Sequence, residues 1–316
     1  MSASVDADEV CAACGKQAND GVTLKRCNAC KIVTYCGVDC QKAHRKQHKN
    51  ACKKRAVELK DEILFKQPEE HYRGDCPICY LPHPLEASQV TFKSCCGKDI
   101  CKGCQFAQVS SSNLPRVCAF CRVPNPTSKF EFVRRARERM EAGDLRAIHE
   151  LGCNYYSGGA GLVLDLGEAF KMFTKAAELG DIASHYQLGV MYWNAQHVDK
   201  DLKRAVHHFE IAAIGGHPDG RFNLAVDEID NNNRNIERAM KHFFIASLLD
   251  QDSALEQLKR GYKNGHVSKE HFLSAFRAHH DAVGSRKSKQ RDEAASGIRY
   301  KVCTTKYGYS PSKSSK

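Results

Sequence analysis

The run CAACGKQANDGVTLKRCNACKIVTYCGVDCQKAHRKQHKNAC, residues 11–52, contains Cys11-x2-Cys14, Cys27-x2-Cys30, Cys36-x3-Cys40 and His48-x3-Cys52. That is enough for two tetrahedral zinc sites of four ligands each. A segment of about 40 residues cannot bury enough apolar surface to fold unaided, so metal replaces the missing core. Structural zinc supplies ~10–16 kcal/mol per site, more than the stability of a small domain. Each Cys-x2-Cys pair forms a tight knuckle, and alternate pairs share an ion in a cross-brace. Cys11, Cys14, Cys36 and Cys40 hold one, and Cys27, Cys30, His48 and Cys52 the other. Gln41 to Lys54 carries no breaker and is predicted helical, and i, i+4 spacing puts His48 and Cys52 on one face. His44 is a rival ligand, four residues from both Cys40 and His48.

A second block follows with Cys76-x2-Cys79, Cys95-Cys96, Cys101-x2-Cys104 and Cys118-x2-Cys121, again eight candidate ligands. The two blocks together hold 15 of the 17 cysteines in a chain of 316 residues, long enough for two or three domains. The N-terminal MSASVDADEV lacks the apolar core of a signal peptide. No apolar run approaches the ~18 residues of a membrane span. These features predict an intracellular protein, cytoplasmic and/or nuclear, whose paired thiols bind metal instead of forming disulfides. The formal net charge is +11, which permits an anionic partner without requiring one. Part of it lies between Gln41 and Lys60, where eight Lys or Arg face one acid, Glu58.

The string YCGVDCQKAHRKQHKNAC, with the two preceding pairs, resembles a MYND-type zinc finger over residues 11–52. The family pattern selects His48 over His44. MYND fingers bind short proline-containing peptides, so the resemblance implies partner docking and not catalysis. No aromatic residue interrupts the lysines of the basic helix to stack on a base, which argues against nucleic acid.

Residues 76–121 resemble a RING finger, another cross-brace. That resemblance implies one zinc on Cys76, Cys79, Cys101 and Cys104 and a second on Cys95, Cys96, Cys118 and Cys121, so four Zn2+ ions in the chain. It departs from the usual pattern at Lys98, where RING fingers carry histidine; in an all-cysteine variant Cys96 supplies that ligand. RING fingers that act as ubiquitin ligases grip a ubiquitin-conjugating enzyme and hold its linked ubiquitin in a reactive conformation, catalysis by positioning. Ile78 stands where an apolar residue packs on that enzyme, and Arg122 where a cation contacts ubiquitin and the enzyme together. Ala119 stands in place of the common proline.

Beyond Lys129 cysteine almost vanishes and a period emerges. Leu151-Gly152 recurs as Leu188-Gly189 and Leu224-Ala225, and Tyr155 as Tyr192, with Glu228 in the third copy. Ala169, Phe173, Ala176-Ala177 and Gly180 recur as Ala205, Phe209, Ala212-Ala213 and Gly216, then Ala239, Phe243 and Ala246. Leu258 starts a truncated fourth copy. The pattern resembles the Sel-1-like repeat, a relative of the tetratricopeptide repeat, and implies a solenoid that binds protein segments.

The expected architecture is mixed: two small zinc-stabilised cross-brace modules, then an all-α helical-repeat solenoid. The expected parts are a MYND-type finger at 11–52, a charged helical linker at 53–75 and a RING-like finger at 76–121. A linker at 122–139, whose Arg122 to Lys129 stretch with Pro124 and Pro126 reads as an extended spacer, precedes repeats at 140–265. A capping helix at 266–295 buries Phe272, Leu273, Phe276 and Val283 on one face, before a basic tail at 296–316. His207-His208 and His279-His280 read as surface pairs, Cys153 as core and Cys303 as a bystander. There is no P-loop, dinucleotide fingerprint or nucleophile elbow. Residues 53–316 also lack the catalytic domain of MYND-containing lysine methyltransferases. Saturated four-ligand sites leave no position for catalytic water. The function expected is protein–protein interaction, as a RING-type ubiquitin ligase or as a non-catalytic adaptor. Ile78 and Arg122 favour the first, Lys98 and Ala119 the second.

Overall fold

A computed structural model of the chain describes residues 10–18, 21–68, 72–110, 116–230 and 234–296. The tail from 297 onward, with Cys303, lies outside the described residues. Two compact units divide the chain, 1–66 and 67–316.

In the first unit a short antiparallel pair, β1 (Lys25–Arg26) and β2 (Thr34–Tyr35), precedes the 27-residue helix α1 (Val38–Leu64). The helix runs on from the 41–54 stretch into the expected charged helical linker and ends within it, at Leu64. It is polar all round, with Leu64 its one buried residue, so a hydrophobic face does not hold it in place. The contacts that fix it are Cys40, His48 and Cys52 at the two ligand clusters and His44 at the Tyr35 hydroxyl. Beyond that, Arg55 bridges Glu58 at 3.2 Å and Glu62 at 2.8 Å, exposed pairs worth only tenths of a kcal/mol.

The second unit opens with a hairpin, β3 (Val90–Lys93) against β4 (Lys98–Cys101), followed by α2 (Lys102–Ser110). Ten helices follow: α3 (Lys129–Glu141), α4 (Leu145–Ser157), α5 (Leu166–Glu178), α6 (Ile182–Trp193) and α7 (Leu202–Ile214). Then come α8 (Pro218–Asp230), α9 (Ile236–Leu248), α10 (Asp252–Lys263), α11 (Lys269–Ser285) and α12 (Lys289–Ala295). Each of α3 to α10 packs on the next in sequence. Side-chain caps start them at fixed places: Asp144, Asp165, Asp181 and Asp201 each accept a backbone N–H of the first turn, worth about 1 kcal/mol apiece.

The repeat pattern is a packing rule. A Cβ on Gly152 would lie 2.8 Å from the Phe173 ring, and one on Gly189 would lie 2.5 Å from the Phe209 ring. The Leu-Gly step therefore lets each helix approach the phenylalanine of the next. In the third copy Ala225 and Phe243 share one buried cluster. There Glu228 takes the place of tyrosine, and its carboxylate accepts a bond from Arg238 Nε at 2.7 Å.

Two expectations are corrected. The chain is extended up to Ser128, as Pro124 and Pro126 predict, but the rest of the expected linker, to 139, is helix: Ser128 caps α3, which begins at Lys129. Its Val133 and Ala136 form a core with Phe92 of the hairpin and with Ala147 and Leu151 of α4. The cysteine module is thus packed onto the first repeat. The single capping helix is two helices broken at 286–288, and it buries Ala275 and His279, while Leu273 and Phe276 stay exposed. Phe272 does pack on the core with Ala275, but His279 takes the next buried position along that face, which the apolar pattern does not predict. The surface reading holds for His207 and His280 but fails for His279, and fails in part for half-buried His208.

Candidate metal centres

Four Cys-x2-Cys pairs close the same turn. The carbonyl of the first cysteine accepts a bond from the residue after the second: Gly15 on Cys11 at 2.9 Å, Lys31 on Cys27 at 3.0 Å, Tyr80 on Cys76 at 2.8 Å and Arg122 on Cys118 at 3.0 Å. Each of these residues is left-handed, with φ of 74°, 59°, 55° and 64°. The first cysteine's own N–H reaches a carbonyl five or six residues on, such as Leu81 from Cys76 at 3.0 Å. This fold-back points both thiols the same way. At Cys95-Cys96 the turn is different: Cys96 and Gly97 both donate to the Lys93 carbonyl, and Gly97 carries the positive φ of 70°.

The result is four clusters, each with ligand atoms within 4.8 Å of one another. They are Cys11, Cys14, Cys36, Cys40; Cys27, Cys30, His48, Cys52; Cys76, Cys79, Cys101, Cys104; and Cys95, Cys96, Cys118, Cys121. A tetrahedron with ~2.3 Å zinc–sulfur bonds has an edge of about 3.8 Å. Sulfur pairs here fall at 3.4 to 3.9 Å: Cys36–Cys40 at 3.4 Å, Cys27–Cys52 at 3.7 Å, Cys76–Cys104 and Cys96–Cys118 at 3.9 Å. Those separations are too long for disulfides and right for a shared ion. His48 Nε2 lies 3.2 Å from Cys30 Sγ, whereas His44 Nδ1 is engaged by the Tyr35 hydroxyl at 3.0 Å. Cys95 and Cys96 both enter the fourth cluster, Cys95 at 3.4 Å from Cys121.

Each cluster holds one thiol low, Cys11, Cys27, Cys76 or Cys118, while Cys36, Cys40, Cys52, Cys95, Cys96, Cys101 and Cys104 are pushed up; a shared cation is what lets all of them ligate as thiolates. The Cys101 thiol, working against burial and aided by the N–H groups of Cys101, Cys79 and Ile78, holds Cys76 at about 3. Burial pushes Cys27 up, but the Cys30 N–H and His48 outweigh it and bring it to about 6.

Ile78 lies half-buried against the core of the second module, Arg122 and Lys98 are exposed, and Ala119 is half-buried. Sequence reasoning missed Arg291 of α12. Its guanidinium donates to the Pro82 carbonyl at 2.7 Å, to the Leu81 carbonyl at 3.2 Å and to Cys79 Sγ at 3.5 Å. No local signal could have found it, since the partners are about 210 residues apart in the chain. A further group, Asp250, Asp252 and His279, also converges, but Arg286 already pairs with Asp250 at 2.5 Å.

The MYND finger model matches residues 11–52, and the Sel1 repeat model matches residues 145–181 and 182–217. The chain is 37% identical over 87 residues to the ERAD-associated E3 ubiquitin-protein ligase component HRD3B of Arabidopsis thaliana, covering 27% of this chain and 13% of that protein. It is 51% identical over 47 residues to the SET and MYND domain-containing protein DDB_G0277331 of Dictyostelium discoideum, covering 14% of this chain and 9% of that protein. It therefore spans only a small fraction of both relatives. Among solved structures, an Escherichia coli protective antigen, c5321, displaying an SLR fold aligns at TM-score 0.42 and 27% identity, covering 49% of this chain and 33% of that one. A Sel1 repeat protein from Oxalobacter formigenes aligns at TM-score 0.45 and 19% identity, covering 54% of this chain and 80% of that one. The chain is a zinc-binding protein with a MYND finger and Sel1 repeats, both protein-interaction modules.

Proposed function

We propose that the protein is a RING-type ubiquitin ligase in which residues 76–121 engage a ubiquitin-conjugating enzyme while the MYND finger and repeats recruit substrate. The observation that carries this reading is the interleaving of the second module. Cys76, Cys79, Cys101 and Cys104 converge as one four-ligand group, and Cys95, Cys96, Cys118 and Cys121 as another, around a hairpin and a helix. With the eight ligands of the first module, the chain carries four ions. Ile78 sits inside the first knuckle of that module. Arg122 is exposed directly after the last ligand, at the left-handed residue that ends the fourth knuckle. Partial similarity to a protein named as a ubiquitin ligase component points the same way. The MYND finger takes proline-containing peptides. Cysteines free of disulfides among the described residues fit a cytoplasmic or nuclear setting.

The packing of the module on α3 and α4 gives this ligase a fixed distance between the conjugating enzyme and whatever the repeats hold, which favours positional catalysis. A non-catalytic adaptor is the second reading, favoured by exposed Lys98 and by Ala119 in place of proline.

The test is discharge of ubiquitin from a panel of charged conjugating enzymes to free lysine. Zinc-loaded protein accelerates discharge, and Ile78→Ala or Arg122→Asn abolishes the acceleration. Asparagine is used because it tolerates the left-handed backbone of Arg122. No acceleration with any enzyme of the panel would favour the adaptor.

A further inference from the structure

Three residues depart from the internal repeat, and all three meet at one place away from the zinc ligands. Aligning Leu151, Leu188 and Leu224 puts His149 where Tyr186 and Phe222 stand. It puts Cys153 where Val190 and Val226 stand, and Ser184 where Ala147 and Gly220 stand. In the folded chain His149 Nε2 lies 3.3 Å from Cys153 Sγ. On its other side His149 Nδ1 lies 2.9 Å from Ser184 Oγ and 3.1 Å from Asp181 Oδ2. The Asp181 carboxylate is itself fixed, because it caps α6 by accepting the Ser184 N–H at 2.7 Å. A carboxylate facing Nδ1 sets the tautomer: Nδ1 carries the proton and Nε2 presents its lone pair to the thiol.

The thiol is not sealed in the core. His149 is buried, but Cys153 is only half-buried, and both line a cleft of about 510 Å³ between the hairpin and the first repeat. Cations border this cleft at Arg73, Lys129 and Arg146, with Asp99 and Glu150 as the acids. Arg146 holds Asp99 at 2.8 Å, yet its Nε is buried without a hydrogen-bond partner. A donor left unsatisfied in a cleft is a group an anionic ligand would complete. A histidine and a cysteine introduced merely as core fillers would not need an aspartate behind the ring or an opening in front of the sulfur.

We propose that Cys153 is an acyl-accepting nucleophile, with His149 as its general base and Asp181 as a positioning residue, and that the cleft admits a small thioester bearing an anionic group. The step is thiol–thioester exchange. The Cys153 Sγ–H proton passes to His149 Nε2, and Sγ bonds to the thioester carbonyl carbon. The donor's carbon–sulfur bond then breaks, and the departing thiolate takes the proton back from Nε2. No atom changes oxidation state, and no other reactant is needed. Burial pulls His149 down, but Cys153 and Asp181 outweigh it and hold the imidazole up at about 10, so Nε2 readily takes a proton from the thiol it faces.

The experiment treats the full zinc-loaded chain with the thiobenzyl ester of succinate and maps acylation by peptide mass spectrometry. Cys153 is expected to be acylated about 100-fold or more faster than glutathione, the scale of general acid–base assistance. His149→Tyr restores the residue that stands at this place in the next repeat and is expected to bring the rate down to that of glutathione. Its fold is checked by circular dichroism. Asp181→Asn keeps the cap and removes the charge; it should slow acylation and shift the ¹⁵N resonances of His149 to the neutral form. A slowed rate with His149 still charged would assign Asp181 a structural role only. Acylation of Cys153 no faster than glutathione, or equally fast in His149→Tyr, would overturn the site. Equal rates with the neutral thiobenzyl acetate would overturn the anionic selectivity.

Discussion

Gly189→Ala opposes two effects whose sizes can be compared. Alanine in a helix interior is favoured over glycine by about 0.8–1 kcal/mol, so on propensity alone the substitution stabilises. The added Cβ, however, would lie 2.5 Å from Phe209 Cε1, 2.6 Å from Cδ1 and 3.1 Å from Cζ. Ordinary carbon contacts fall near 3.5–4.0 Å, so the ring must move by about 1 Å. Phe209 is 1% exposed, and the cleft of about 290 Å³ that it lines with Trp193 and Val226 relieves only part of that shift. Overpacking of this kind costs about 1–3 kcal/mol, so the net is a loss of about 1 kcal/mol. The chain's single tryptophan, Trp193, lies 6.1 Å from Phe209 between ring centroids, so its fluorescence reports on this contact. With a urea slope of about 2 kcal/mol per molar, the midpoint should fall by about 0.5 M. Phe209→Leu should be less harmful in the Gly189→Ala background than alone, with a coupling of about 1 kcal/mol. A midpoint that rises would refute the claim that Leu-Gly encodes helix approach.

Other outcomes follow from other contacts. Arg238→Met removes the cation facing buried Glu228 and should cost about 1.5–3 kcal/mol in urea melts, the worth of a hydrogen bond to a charged group. Arg291→Ala should release α12, raising amide hydrogen exchange in 289–295 and 79–82 while leaving the repeats protected. Stability should also depend on pH through His149 and Asp181. His149 is held above its ordinary 6.5 at about 10, so its contribution is complete below 6.5 and lost as pH rises toward 10. Burial pushes Asp181 up, but His149 and Ser184 hold it well below the ordinary 3.8, so it contributes above that value and is lost in acid. Wild-type stability should therefore fall between pH 6.5 and 10, and Asp181→Asn should flatten that fall; identical slopes would refute the pairing.

The parts legible in sequence were those with local causes. Cysteine spacing reports knuckles because one turn places both thiols, and the His48–Cys52 interval reports a shared ligand site because four residues make one helical face. Phe173, Phe209 and Phe243 report the repeat because each fills the same gap. The parts that were not legible depend on distant contacts. Pro124 and Pro126 mark the spacer up to Lys129, but residues 129–139 read as more linker because α3 is held by a core shared with Phe92, a partner distant in the chain. His279 is buried because its Nδ1 donates to the Ser247 carbonyl at 3.0 Å, a partner that composition does not disclose. The Cys153 cluster left a trace, since His149 and Ser184 break the repeat. Reading that trace required knowing which breaks meet.

Native mass spectrometry of the purified chain, with metal content per molecule, tests the central account most directly. Four zinc ions per chain are expected, falling to three in Cys76→Ser, Cys79→Ser double variants and in Cys95→Ser, Cys96→Ser double variants. Two or three ions in the wild-type protein would contradict the sixteen-ligand assignment and, with it, the second cross-brace.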